Sequence, residues 1–298
     1  MTTEADILPA LPRPASIRPA SIRPASMRRR LLPRGLLGHG VMLGLSFLSL
    51  FPLYWMVVSS LRPANAMFET SLWPSAATLA NYRYTLNAIP VAQMLINTLV
   101  VATAVTLIQL CTAVLGAFAF ARWQFRGQGL AYSLVALTWL VPLQVVMIPN
   151  FLLVADLGLL DSVTALVIPH FASALAVLMT TQAMRSFPKE LIDAALVDGA
   201  GNWRVLWQVI VPNLRGTLAS LAILIFISTW NEYFWPLLLS RTPENTMIQI
   251  GIQMFMTQEG NQWGPLMAAS TMASLPILAL YIALQRQVIQ SFMKSGLR

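Results

Sequence analysis

Six stretches of this chain are almost free of charge: 40–61, 84–121, 127–155, 162–184, 216–240 and 260–285. His170 and Glu232 are the only histidine and the only acid inside them. A helix needs about 20 predominantly apolar residues to cross the hydrocarbon of a bilayer, and each stretch supplies them. The pattern predicts transmembrane helices at 36–60, 92–121, 129–153, 162–185, 215–239 and 265–287. A membrane β-strand would need only about 10 residues of alternating character, and these runs are longer and do not alternate. The expected fold class is therefore all-α, a polytopic membrane protein. A soluble helical fold is excluded by composition: 10% of residues are charged, against about 25% in soluble domains, and 57% are hydrophobic.

The net charge of +8 would suit a nucleic-acid partner if it were clustered on a surface. It is instead sorted by loop. With the N-terminus inside, only Arg62, Arg83 and Arg241 of the 19 basic residues fall in outer segments. Basic residues held on the cytoplasmic side set topology, so the charge orients the chain and places both termini in the cytoplasm; no nucleic acid is implied. Residues 1–35 are of another character. The tandem repeat RPASI-RPASI-RPASM (13–27) sets a proline at every fifth position, which blocks a regular helix and offers too little apolar surface for a core. A disordered, basic, Pro-rich cytoplasmic tail is expected there, ahead of a transmembrane domain over 36–298. The single cysteine, Cys111, has no partner for a disulfide or a metal and is expected to be a small packing residue in the second span.

The longest inner loop, about 185–215, holds the polar segment LIDAALVDGAGNWRVLWQVIVP (191–212). Ser186 is expected to cap a helix opening on Pro188, with Glu190 and Asp193 near the positive end of its dipole. Leu191, Ala194, Ala195 and Asp198 then share a face, and Gly199 supplies a left-handed stop. Asn202 is expected to cap a second helix, whose stripe of Trp203, Leu206, Trp207 and Ile210 would pack against the membrane helices until Pro212 ends it. The first helix carries acids and small alanines. An interfacial helix lying on lipid is usually rich in Lys and Arg on its polar face, so a protein docking surface is the better reading.

This segment resembles the loop motif of binding-protein-dependent ABC importer permeases: Glu-Ala-Ala, three residues, Gly, nine residues, then Ile-x-Leu-Pro. Here it reads Asp193-Ala194-Ala195, Gly199, then Val209-x-Val211-Pro212, with the spacing intact. SFPKEL (186–191), FPLYWMVVSSLRP (51–63) and TWNEYFWPLLL (229–239) are similar to the carbohydrate-uptake branch, in particular its maltose-transporter-like second permease. Asp193 in place of Glu, and Val209 and Val211 in place of Ile and Leu, keep charge and apolarity.

The resemblance implies a type I ABC importer permease with no catalytic site and no cofactor or metal, located in the inner membrane of a bacterium. Its partners would be a cytoplasmic ATPase dimer, a second homologous permease subunit and an extracytoplasmic binding protein that delivers a sugar. Lys189, Glu190, Asp193, Ala194, Ala195, Asp198, Gly199, Ala200 and Pro212 would form the loop that couples to the ATPase. Independently, the sequence has no Gly-x-x-x-x-Gly-Lys-Ser/Thr loop to hold ATP phosphates. Prolines 142, 149, 169, 236 and 276 are expected to break or kink the spans.

A substrate path is read at Asn231, Glu232, Tyr233 and Trp235, because an acid at membrane depth is costly and usually faces the bundle interior. Tying helices together is the competing role for Glu232, and packing the one for His170. Asn97, Gln109 and Gln144 are expected to make inter-helix hydrogen bonds. Within the same importer class an amino acid, peptide or phosphate ester is the alternative cargo. An ion-coupled secondary transporter would need an internal repeat that is not seen, and an intramembrane enzyme would need a nucleophile or metal set that two histidines and one cysteine do not supply.

Overall fold

The computed structural model describes residues 33–257 and 260–295. The expected tail thus lies, but for its last three residues, outside the described residues. Helix α1 (Pro33–Ser60) is followed by a short helix α2 (Ala80–Ala88) and the long α3 (Val91–Arg122); outer and inner name the sides expected from the basic residues. The third expected span is two helices, α4 (Gln128–Thr138) and α5 (Leu143–Asp156), bent by 95°. The fourth is α6 (Val163–Val167), a 3-10 turn over Ile168–His170, and α7 (Ala174–Arg185), bent by 49°. The inner hairpin is α8 (Lys189–Val197) and α9 (Asn202–Asn213). The fifth span begins at α10 (Arg215–Trp230), turned 77° from α9, and resumes in the short α11 (Phe234–Leu239). The outer helix α12 (Ile248–Gln253) and a two-stranded ribbon, β1 (Met256–Thr257) with β2 (Gly260–Asn261), lead into α13 (Trp263–Ser295).

The six expected spans are therefore present as apolar helical segments, but three of them are broken. Proline is the cause in the third: Pro142 sits extended at φ −61°, ψ 139°, and the residue before a proline is pushed out of the helical region. Pro149, Pro236 and Pro276 lie inside helices, and Pro169 sits in the 3-10 turn.

Helix α3 is the structural axis. It packs along α7 and α10, and many of its buried positions are small or β-branched, among them Val101, Ala102, Val105, Ala113 and Ala117. Lipid tails are as apolar as leucine, so helix association inside a membrane relies on such close backbone approach. Threonines on these faces return their hydroxyls to the preceding turn; Thr106 and Thr181 donate to the carbonyls of Ala102 and Val177 at 2.6 and 2.7 Å. Cys111 falls on the exposed side of α3, not in the packing face expected of it.

Two outer elements, α2 and α12, have no counterpart in the sequence reading. Helix α2 escaped because its buried positions are Asn81 and Thr85, so no apolar period marks it. Polar bonds hold it: Asn81 Nδ2 donates to the carbonyls of Ser60 and Arg62 at 2.8 Å each, and Ser60 Oγ and Tyr82 Oη lie 2.7 Å apart. Asn97 ties α3 to the outer loop, through the carbonyls of Glu244 and Thr246, and not to a neighbouring span as expected. Gln144 is exposed and makes no side-chain hydrogen bond among the described residues.

A second outer tie centres on Asp161, which adopts φ 58°. Its carboxylate accepts from the amides of Arg241 and Thr242 at 2.7 and 3.0 Å, and from the side chains of Thr242 and Asn245. The two backbone amides are the main reason its pKa is lowered to about 2. A depressed carboxylate pKa gives stability that is full above the ordinary carboxylate value and lost as pH falls through about 2. Amide protection at Arg241 and Thr242 should accordingly be flat from pH 8 to 5 and disappear in strong acid. Asp161→Asn should weaken it at every pH, as measured by hydrogen-exchange protection factors.

Candidate functional site

The inner hairpin begins one step later than its sequence suggested. Ser186 ends α7, donating its hydroxyl to the carbonyl of Ala183 at 2.9 Å, and Pro188 occupies the cap position of α8 without a side-chain cap. The stop is as expected. Gly199 sits at φ +78°; its amide donates to the carbonyl of Leu196 and that of Ala200 to Ala195, the paired bonds of a Schellman motif. The start of α9 is capped by the backbone of Gly201, with Asn202 already its first residue.

Only half of the expected stripe packs inward: Leu206 and Ile210 do, and Trp203 and Trp207 do not. Residues Val205–Ile210 form a π-helix, in which i and i+5 come into register. Val205, Leu206 and Ile210 are buried against Val114, Ala117 and Phe118 of α3, Met184 of α7 and Phe187 just beyond it. Trp203 is 66% exposed and Trp207 is 38% exposed; their rings meet edge to face at 5.8 Å beside an open depression of about 570 Å³. The stripe presupposes a regular 3.6-residue turn, and the wider turn brings Val205 onto the apolar face.

Of the expected coupling residues, Lys189, Glu190, Asp193, Ala194, Asp198, Gly199 and Pro212 are exposed, while Ala195 and Ala200 pack inward with Ile192. Leu191 and Val197 are also exposed, Val197 at 88%. Helix α8 thus shows bare apolar side chains between carboxylates, and α9 fixes the hairpin to α3.

A second site lies where two broken spans meet. A cavity of about 180 Å³ has Gln109, His170, Ser173, Ser228, Thr229 and Glu232 on its polar side and Leu221 and Ile225 among its apolar ones. His170 comes from the interruption between α6 and α7, Glu232 from that between α10 and α11. Irregular backbone at membrane depth is tolerated where it is buried in protein or lines a cavity. Glu232 Oε1 accepts from the amides of Tyr233 and Phe234 at 3.1 and 3.0 Å, so it also caps α11.

Of the four residues read as a substrate path, only Glu232 lines this cavity. Trp235 is buried in the apolar core, edge to face with His170 at 6.1 Å. Asn231 is exposed and bonds to the carbonyl of Ile227 and to Gln249; Tyr233 is half-buried. Ser173, Ser228 and Thr229 gave no signal in the sequence, because hydroxyl residues within a span ordinarily back-bond to their own helix.

With this geometry in view, comparison with known proteins decides the family. Residues 112–294 match the family described as binding-protein-dependent transport system inner membrane component. The chain belongs to that family. The lactose transport system permease protein LacG of Rhizobium radiobacter is 29% identical over 257 residues, covering 86% of this chain and 94% of that protein. The sn-glycerol-3-phosphate transport system permease protein UgpE of Yersinia pestis is 31% identical over 258 residues, covering 83% and 92%. The arabinooligosaccharides transport system permease protein AraQ of Bacillus subtilis is 27% identical, covering 85% and 92%. Among solved structures, a chain of a bacterial ABC transporter involved in the import of the acidic polysaccharide alginate superposes with a TM-score of 0.74 at 23% identity, over 85% of this chain and 95% of that one. The all-α membrane fold is thus the type I importer permease fold, and the chain is a multi-pass permease subunit of a binding-protein-dependent ABC importer.

Proposed function

We propose that this permease forms half of the translocation pore for a sugar, handed over by an extracytoplasmic binding protein, and that ATP is hydrolysed in a separate cytoplasmic ATPase dimer. A second homologous permease subunit supplies the other half. Both termini and the 189–213 hairpin lie on the cytoplasmic side, and residues 1–35 form a basic tail outside the transmembrane domain. Helix α8 enters the ATPase surface through Glu190, Asp193, Ala194, Asp198 and Gly199.

The observation that carries this reading is the two-faced hairpin. Its first helix exposes Leu191 and Val197 among acids, and its second buries Val205, Leu206 and Ile210 against α3, the axis of the bundle. A movement imposed on α8 therefore passes through packed side chains into α3 and α7. The relatives named for lactose and arabinooligosaccharides support a sugar as cargo.

The test is reconstitution. Vesicles holding this chain, its partner permease and the ATPase, with the binding protein outside, should accumulate labelled sugar only when ATP is present on the ATPase side. Accumulation driven by an ion gradient without nucleotide consumption would overturn the proposal.

A further inference from the structure

We infer that the cavity between α3, α7 and α10 is a subsite for one uncharged, hydroxyl-bearing sugar ring, and that Glu232 makes it discriminate against anionic solutes. This rests on the sugar-importer reading and narrows it, because relatives of similar identity are named for neutral and for phosphate-bearing cargo.

The polar lining is rich in unpaired acceptors. Gln109 Nε2 donates to the carbonyl of His170 at 2.8 Å, leaving Oε1 without a partner among the described residues. His170 Nδ1 lies 3.2 Å from the carbonyl of Leu166, so the ring hydrogen belongs on Nδ1 and the neutral imidazole offers Nε2 as an acceptor. Glu232 commits Oε1 to two backbone amides, and Oε2 has no partner among the described residues. Ser173 Oγ accepts from the amide of Ala176 at 3.3 Å, while Ser228 and Thr229 add hydroxyls that turn either way.

The ring N–H is thus spent inside the protein, one Gln109 N–H and the hydroxyls are still able to donate, and three acceptors, Gln109 Oε1, His170 Nε2 and Glu232 Oε2, are left over. Among the described residues, no lysine or arginine lines the cavity. A sugar hydroxyl brings the hydrogen these acceptors lack. A phosphate or carboxylate brings only more acceptors, and a negative charge beside Glu232. Leu221 and Ile225 offer the apolar patch that suits the C–H face of a ring. At about 180 Å³ the cavity is smaller than the roughly 300–1,000 Å³ of whole-ligand pockets, so it takes one ring of a longer substrate.

The probes are methyl glucoside and methyl glucuronide, alike in ring and different by one carboxylate. Binding to the intact permease–ATPase complex in nanodiscs, without the binding protein, is read by saturation-transfer NMR competition. The wild-type complex should prefer the glucoside by tenfold or more. Glu232→Gln, which keeps an oxygen for the cap of α11, should bring the preference to within threefold. Ser228→Ala should weaken glucoside binding and leave the wild-type preference in place. Equal binding of the two probes by the wild type, or an unchanged preference in an intact Glu232→Gln complex, would overturn the subsite. Either result leaves ATP-driven uptake by the reconstituted vesicles untouched, whereas loss of ATP dependence there would remove the importer reading and not the preference.

Discussion

Gly199→Asp abolishes sugar uptake while the chain still inserts and reaches wild-type abundance: that is the result expected of a substitution on the docking face of α8. Nothing lies within 4 Å of a Cβ built at Gly199, so no packing is lost. The backbone there is left-handed, at φ +78°. A non-glycine residue in that conformation costs about 1–2 kcal/mol, and Asp and Asn tolerate it better than most. Such a cost at an exposed turn does not unfold a bundle whose core is α3, α7 and α10. What changes is the surface, which gains a second carboxylate next to Asp198 where a partner would approach the bare backbone. Uptake in reconstituted vesicles should fall at least 20-fold, and the ATPase should no longer co-purify. Gly199→Asn, of nearly the same shape without the charge, should retain more uptake than the aspartate variant. Normal uptake by Gly199→Asp in vesicles of equal permease content would remove α8 from the ATPase interface.

The helical hairpin was legible in the sequence because its determinants are local: an acid-bearing first turn, a glycine that must be left-handed, and a proline at the end. Its inward face was legible only at Leu206 and Ile210. The stripe of Trp203, Leu206, Trp207 and Ile210 assumes a regular turn, and the π-helix at Val205–Ile210 replaces it with Val205, Leu206 and Ile210. Hydrogen-bond registry decides that widening, and side-chain polarity does not report it. The spans were legible for the same local reason, since an uncharged run of about 20 residues is its own signal. Their interruptions were legible only where proline writes them, as at Pro142.

The cavity was half legible. Glu232 stands out as the lone acid of the spans, but Gln109 and Ser173 are brought to it by the crossing of α3 with the break before α7, which is a tertiary fact. Trp235 was drawn to the substrate path by its neighbours in sequence, yet a helix start at Phe234 turns it into the core. Helix α2 was hidden altogether, since a buried face made of Asn81 and Thr85 carries no hydrophobic period.

The same hidden polar face makes Arg62 the residue with the largest expected effect on stability. In the sequence Arg62 is one of three basic residues left outside, a spare charge against the topology rule. In the structure it is fully buried. Its guanidinium donates to the carbonyls of Glu69 and Ser71 and stands 4.8 Å over the ring of Trp55, while its own carbonyl receives Asn81 Nδ2 at 2.8 Å. A Cβ at Gly264 would approach Asn81 Oδ1 to 2.4 Å, so the start of α13 is pressed onto the same knot. The guanidinium thus fastens the outer loop to the end of α1, and Asn81 links α2 and α13 to the backbone beside it.

Hydrogen bonds to a charged group are worth about 1.5–3 kcal/mol each, and a desolvated cation over an aromatic ring about 2 kcal/mol. Arg62→Met, which keeps the apolar stem, should therefore cost about 3–5 kcal/mol. Folded protein should be largely lost from membranes at 37 °C, with a lowered unfolding temperature for what remains. Arg62→Lys should rescue little, because a point charge cannot serve two carbonyls and a ring face in one plane. Tyr54→Phe, which removes one hydroxyl bond from α1 to the carbonyl of Leu72 in the same outer loop, should cost far less. If Arg62→Met and Tyr54→Phe melt together near the wild-type temperature, the outer end of the bundle is held by its apolar contacts, and the buried arginine is a passenger in it.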